Sequence, residues 1–135
     1  MFDEFLLEVS FIKLKIKGYL ENKHTKEKLI IDTIGIKTKN NIKYKQDDVI
    51  YKMKIIDNKI EFIRENEEFI NTFIFEKGKI TKSEYYLKEF STSIYVELKT
   101  DNIVISEDKI EIMYTINETS EEYQYIIEMS EKIWV

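Results

Sequence analysis

The stretch from Val49 to Phe75 constrains the fold most strongly, because its apolar residues recur largely at every second position. Three such runs follow one another, separated only by Asp57-Asn58 and by Glu65-Asn66-Glu67. A period of two is typical of strands with one buried face, and Asn and Asp accept the backbone conformations of tight turns. The stretch therefore predicts three consecutive antiparallel strands joined by hairpins.

Similar alternation recurs through most of the chain, and no segment has a convincing helical period. Further strands are expected at about 12–20, 29–38, 42–46, 79–88, 94–100, 103–105, 110–116 and 123–129. Asp101-Asn102 is interpreted as a turn that separates two of them. Short connections favour a meander, and so many strands in a small protein must close or stack to hide their edges. The predicted fold is all-β, a closed antiparallel up-and-down barrel of about 8–10 strands, lipocalin- or calycin-like.

A length of 135 residues predicts one domain that spans residues 1–135. Residues 1–8 fit either a helical turn or a strand, and residues 131–135 form a short tail. Hydrophobic and aromatic contents of 43% and 13% argue against disorder. With no cysteine and a lone histidine, His24, the chain cannot form a disulfide or a thiolate or multi-histidine metal site, so no metal or cofactor is expected.

The chain has no apolar run of the roughly 18 residues that a membrane-spanning helix needs. It begins Met-Phe-Asp-Glu, which lacks the basic and then apolar pattern of a secretory signal. We therefore expect a cytoplasmic protein that has no membrane partner.

The net charge of −5 is unevenly distributed. Residues 10–59 hold 13 lysines and 6 acidic residues, whereas residues 60–135 hold 8 basic and 17 acidic residues. Strand alternation predicts a lysine-rich outer face from Lys13, Lys15, Lys17, Lys37, Lys43, Lys45, Lys52 and Lys54. Nucleic-acid binding is not expected there, because outward aromatic residues for base stacking are not interleaved with these lysines. Two oppositely charged, solvated walls of one barrel are the simpler interpretation.

Arg64 is the most informative polar residue, because it falls on the same face as Ile60 and Phe62. A guanidinium on an apolar face needs a carboxylate, several carbonyl groups or an anionic ligand. Asp32 alternates with isoleucines and is a candidate partner. A structural Arg-carboxylate pair, an arginine that reaches solvent at the strand end, and an anion-recognising group near the barrel mouth remain alternatives.

Several tyrosines fall on the predicted inner faces, together with the amide of Asn71, the side chain of Gln46 and the hydroxyl of Thr100. A barrel of this size is either just filled by side chains or holds one small ligand. The tyrosine rings would then fill the interior or line a pocket with hydroxyls. The expected ligand contacts are Arg64, Asp32, Tyr44, Tyr51, Asn71, Tyr114 and Tyr123.

The order and spacing of several short segments resemble those of the YwiB-like family, a group of uncharacterised small bacterial proteins. The similarity covers about Ile12 to Met129. It is carried by Asp-Thr-Ile-Gly at 32–35, Asn-Ile-Lys-Tyr-Lys at 41–45, Lys-Ile-Glu-Phe-Ile-Arg at 59–64, the phenylalanine strand ending at Gly78, Val-Glu-Leu-Lys-Thr at 96–100 and Ile-Glu-Ile-Met-Tyr at 110–114. Asn66 stands where the family pattern has glycine. The resemblance implies a lipocalin-like barrel and a cytoplasmic setting, and no activity.

These observations support two functional hypotheses. The first is a non-enzymatic barrel that binds a small, anionic or amphipathic ligand. The alternative is a protein-protein interaction module with a packed interior, which would use an exposed edge or the lysine face to bind a protein partner or a second copy. An enzyme is not expected, because no pair of nucleophile and base is visible.

Overall fold

The computed structural model describes residues 11–131. The predictions for the N-terminal segment and for most of the C-terminal tail fall on residues 1–10 and 132–135, outside this range. Ten strands follow one another along the described chain. They are β1 (Ile12–Asn22), β2 (Lys28–Thr38), β3 (Asn41–Gln46), β4 (Val49–Ile56), β5 (Lys59–Glu65), β6 (Phe69–Glu76), β7 (Ile80–Leu87), β8 (Thr92–Ile105), β9 (Lys109–Ile116) and β10 (Glu122–Glu131).

Each strand pairs with its neighbours in sequence, always antiparallel, and β1 pairs with both β2 and β10. The sheet is therefore a closed up-and-down barrel, which confirms the predicted fold class. Closure gives each of the ten described strands a partner on both sides. Within residues 11–131, no helix is long and apolar enough to cross a membrane.

Very short turns make this meander possible. The hairpins β2–β3, β3–β4 and β4–β5 each have two connecting residues. Asp47 and Asp57 begin two of these turns with φ of 58° and 53°. Aspartate tolerates this left-handed conformation better than most residues, because its side chain bonds to the local backbone. The predicted turn at Asp57-Asn58 is confirmed.

Two details of the sequence interpretation are wrong. Asp101-Asn102 is not a turn, because β8 continues to Ile105 with a register shift between Thr100 and Asn102. An irregularity of this kind bends a strand while keeping it in the sheet, and in sequence it resembles a turn. Lys37 does not belong to the outer lysine face, since it pairs with the buried Ile42 and is itself half-buried.

Asp32 was also misplaced by strand alternation. Both faces of β2 contain isoleucine, and the face with Ile31 and Gly35 is the buried one. Asp32 is exposed on the outside of the barrel, and Lys17 is the residue opposite it on β1 in the strand register. The carboxylate stays hydrated there, which avoids the cost of burying a charge. Asp32 is therefore not a partner of Arg64.

The two ends of the barrel differ in their packing. At one end, which we call the packed end, lie the turns 39–40, 57–58, 77–79 and 106–108. Its interior is filled by aliphatic and methionine side chains that are almost completely buried, among them Ile16, Ile42, Met53, Ile60, Ile110 and Ile127. The other end, the cavity end, carries the turns 23–27, 47–48, 66–68, 88–91 and 117–121. Aromatic and polar side chains replace the aliphatic ones toward this end.

Candidate functional site: an arginine-bearing cavity in the barrel

A row of cross-strand neighbours carries the polar groups of the interior. Tyr44 of β3 pairs with Tyr51 of β4, Tyr51 pairs with Arg64 of β5, Arg64 pairs with Asn71 of β6, and Asn71 pairs with Tyr85 of β7. Directly opposite residues on one face of a sheet lie close enough for their side chains to interact. The register therefore brings a guanidinium, an amide and three phenols to one level of the barrel.

Arg64 is the only arginine of the chain, and its partners are unusual for a guanidinium. Its Nη2 donates a 2.9 Å hydrogen bond to Oδ1 of Asn71, and its guanidinium lies 5.7 Å and 6.0 Å from the ring centres of Phe69 and Phe73. Its Nε is buried and donates to no described residue. Within residues 11–131, no carboxylate lies within ion-pair distance of this guanidinium. The described residues therefore leave the charge of Arg64 uncompensated and its buried Nε without an acceptor.

Asn71 holds Arg64 in place from the neighbouring strand. Its side chain is buried, and its Nδ2 donates to Oγ of Ser83 at 3.2 Å and to the carbonyl of Glu84 at 3.0 Å. These two acceptors fix the amide so that Oδ1 points at Arg64. A neutral acceptor positions the guanidinium without neutralising it. This distinguishes the site from a structural ion pair.

The interior at this level is not filled. A cavity of about 290 Å³ opens beside Arg64, close to the lower limit of about 300 Å³ for small-molecule pockets. Among the described residues, its lining contains one charged side chain, that of Arg64, and no acidic side chain. The other lining residues are mainly apolar or aromatic: Leu20, Leu29, Ile31, Tyr51, Phe62, Asn71, Phe73, Phe75, Ser83, Tyr85, Val96, Tyr114, Ile116, Tyr123 and Tyr125. Leu29 at the rim is 43% exposed, so the cavity reaches solvent at that end.

Two tyrosines close the floor of the cavity by a hydrogen bond across the barrel. The hydroxyls of Tyr44 and Tyr125 lie 2.8 Å apart, and both side chains are buried. Burial raises the pKa of both phenols above the ordinary value for tyrosine. The charge of Arg64 opposes this rise in the pKa of Tyr44. The pair therefore remains neutral and links strands that are distant in sequence.

Other phenols face the cavity without a hydrogen-bond partner for their hydroxyls among residues 11–131. Tyr51, Tyr85 and Tyr114 line it, and their hydroxyls form no hydrogen bond with any described residue. Burial raises the pKa of Tyr114, and the charge of Arg64 opposes that rise. Tyr123 stacks on Tyr114 with ring centres 5.3 Å apart. A neutral tyrosine hydroxyl and an arginine both donate hydrogen bonds, so the cavity offers donors to an acceptor-rich group.

The structure brings together six of the seven expected site residues. Arg64, Tyr51, Asn71, Tyr114 and Tyr123 line the cavity, Tyr44 bonds to the lining residue Tyr125, and Asp32 lies outside. Ser83 and Tyr85 were missed, because β7 showed no clear alternation in sequence. Ser83 is a small buried polar residue flanked by charged ones, a signal that becomes informative once its strand neighbour Asn71 is known.

The expected inner polar residue Gln46 has a different role. Its Oε1 accepts from the amide of Asp32, and its Nε2 donates to the carbonyl of Ile30 at 2.8 Å. The side chain thus continues the β2–β3 pairing beyond the end of the backbone ladder and does not line the cavity. Within residues 11–131, no cluster of three or more histidine, aspartate or glutamate side chains could hold a metal ion.

The fold and the site together define a class, namely closed ten-stranded antiparallel barrels with an internal cavity at one end. A similar solved structure is the crystal structure of ywiB protein from Bacillus subtilis. The TM-score is 0.67 at 18% sequence identity, and the match covers 92% of this chain and 93% of that chain. At this identity, the likeness shows a shared fold. No protein-family model and no curated protein matches the chain.

Proposed function

We propose that the protein is a non-enzymatic binding barrel for a small amphipathic anion, most simply a carboxylate with an apolar body. The observation that carries the proposal is the guanidinium of Arg64, which faces a largely apolar cavity. No described residue offers it a carboxylate, and its buried Nε has no acceptor. A buried donor without a partner is rare in folded proteins and calls for an explanation such as a bound ion or ligand.

The chemistry of the lining supports this ligand class. A carboxylate accepts hydrogen bonds from a guanidinium in a geometry that neutral ligands do not reproduce, and the Tyr51 and Tyr114 hydroxyls supply further donors. The rings of Phe62, Phe73 and Phe75 offer an apolar surface for the body of the ligand. The volume of about 290 Å³ favours a small compound over a long lipid.

The alternative of an interaction module predicts a filled interior, and the cavity favours ligand binding over it. We also propose that the chain belongs to the YwiB-like family and that its barrel is of the calycin type. We further propose that the protein is cytoplasmic. The resemblance of the sequence segments and the shared barrel fold support this placement.

Octanoate, with octanol as its neutral counterpart, is a suitable pair of probes. In amide-resolved NMR titrations, we expect octanoate to shift the backbone resonances of Arg64, Asn71 and Ser83 in a saturable manner. Octanol offers the same chain without the charge, so it should bind much more weakly. Equal affinity for the two compounds, or no saturable shift with octanoate, would contradict the proposal.

A further inference from the structure

The cavity wall is rich in aromatic rings, whereas the packed end of the barrel is not. Of the sixteen described residues that line the cavity, eight are tyrosine or phenylalanine, although aromatic residues make up 13% of the whole chain. Aliphatic side chains such as Ile16, Ile60 and Ile110 fill the packed end and are completely buried there. Burial of apolar surface alone therefore does not account for the rings at the cavity end.

Two pairs of nearly parallel rings dominate the cavity wall. The first pair is Phe73 and Phe75 of β6, with ring centres 5.5 Å apart and planes inclined by 8°. The second pair is Tyr114 of β9 and Tyr123 of β10, with ring centres 5.3 Å apart and planes inclined by 12°. Strands β7 and β8 separate β6 from β9 in the sheet, so the two pairs come from different parts of the barrel wall.

The two pairs meet at one point and diverge toward the mouth. The ring centres of Phe75 and Tyr114 lie 5.0 Å apart, whereas those of Phe73 and Tyr114 lie 6.3 Å apart. Strand β6 begins at the cavity end, so Phe73 lies nearer the mouth than Phe75. Aromatic rings pack with centres about 4.5–7 Å apart. A flat ring beside Phe73 and Tyr123 would therefore continue the array that the rings of the protein begin.

The cation adjoins the same array, because the guanidinium of Arg64 lies 6.0 Å from the ring centre of Phe73. We infer that the body of the bound anion is aromatic. The ligand is a small arylalkanoate whose carboxylate contacts Arg64 and whose ring packs between Phe73 and the pair of Tyr114 and Tyr123. This assignment rests on the proposed function, because it concerns the apolar part of the same ligand. The cavity volume of about 290 Å³ suits a single ring with a short acid chain.

The inference is tested with 4-phenylbutanoate and 4-cyclohexylbutanoate, whose affinities are measured by calorimetry. The two compounds share their charge and chain length, and the saturated ring has the larger apolar surface, so burial alone predicts that the cyclohexyl compound binds at least as tightly. Ring-ring contacts should instead make 4-phenylbutanoate bind about 2- to 10-fold more tightly. Equal affinities, or tighter binding of 4-cyclohexylbutanoate, would overturn the inference and leave the carboxylate site intact. If neither these compounds nor octanoate bind, the proposed function fails and the inference fails with it.

Ring-removing variants locate the preference in the cavity. Phe73→Leu keeps an apolar side chain, so the ratio of the two affinities should fall to about 1, and any change at Arg64 cancels because both compounds share the carboxylate. Tyr123→Leu changes a half-buried ring and is the second variant if Phe73→Leu does not fold. The control Tyr95→Leu removes a ring of β8 that is 58% exposed and does not line the cavity, so the ratio should persist. An unchanged ratio in a folded Phe73→Leu or Tyr123→Leu variant would also overturn the inference.

Discussion

The guanidinium of Arg64 donates to the amide oxygen of Asn71 at 2.9 Å, across the β5–β6 strand pair. This neutral partner orients the cation and leaves its charge uncompensated. Asn71 is anchored in turn by its bonds to β7, so three adjacent strands fix one donor group at the edge of a cavity. The predictions below test this arrangement and the barrel that supports it.

Asn71→Ala should lower the free energy of unfolding by about 2–3 kcal/mol. The substitution removes three hydrogen bonds and leaves the buried Ser83 hydroxyl without its partner, which costs about 1–3 kcal/mol. Arg64 and the Glu84 carbonyl also lose a bond, but they are only partly buried and add less. Urea unfolding followed by circular dichroism measures the change. A loss below about 0.5 kcal/mol, as for a typical surface substitution, would show that Asn71 does not organise the interior.

The phenol pair of Tyr44 and Tyr125 should show coupling in a double-mutant cycle. Tyr44→Phe or Tyr125→Phe alone leaves one buried hydroxyl without its partner and should cost about 1–2 kcal/mol. The double variant removes both hydroxyls, so its loss should be smaller than the sum of the two single losses. Strictly additive losses in urea unfolding would argue against the hydrogen bond across the barrel.

Alkaline pH should unfold the barrel through its buried tyrosines. Burial raises the folded-state pKa of Tyr44, Tyr114 and Tyr125 above the value of about 10 in the unfolded chain. The unfolded state then releases protons first, so the stabilisation is fully present below about pH 10 and is lost as the pH rises above it. Phenolate absorbance and circular dichroism, followed together, should show these tyrosines ionising only as the fold is lost. Ionisation of all nine tyrosines near pH 10 in an intact barrel would contradict this account.

Gly18→Ala should destabilise the barrel by at least about 2 kcal/mol. A Cβ at this position would collide with the carbonyl oxygen of Ile126 on β10, and a backbone atom cannot easily move away. Gly78→Ala serves as the comparison, because φ of 79° strains an alanine there while nothing lies within 4 Å of its Cβ. Thermal unfolding should show the larger loss for Gly18→Ala. The opposite order would indicate that β1 and β10 are not packed as closely as described.

The sequence was sufficient to predict the barrel, because alternation and turn residues are local signals. It also identified Arg64 and Asn71 as inward-facing, since their strands are buried on one face only. Alternation failed for Asp32, because β2 is apolar on both faces and the period does not reveal which face is inside. It also missed Ser83, whose importance comes from contact with another strand. Which side chains meet across a barrel depends on register and closure, which no single strand encodes.

The most direct test of the account is the calorimetric affinity of the protein for octanoate, compared with that of Arg64→Met. Removal of a charge-assisted hydrogen bond of about 1.5–3 kcal/mol should weaken binding by about 10- to 100-fold, while octanol binding stays unchanged. Lys99→Met, which removes one positive charge from the exposed outer face of β8, should retain the original affinity. Equal octanoate affinities for the original protein and a folded Arg64→Met variant would contradict the central claim.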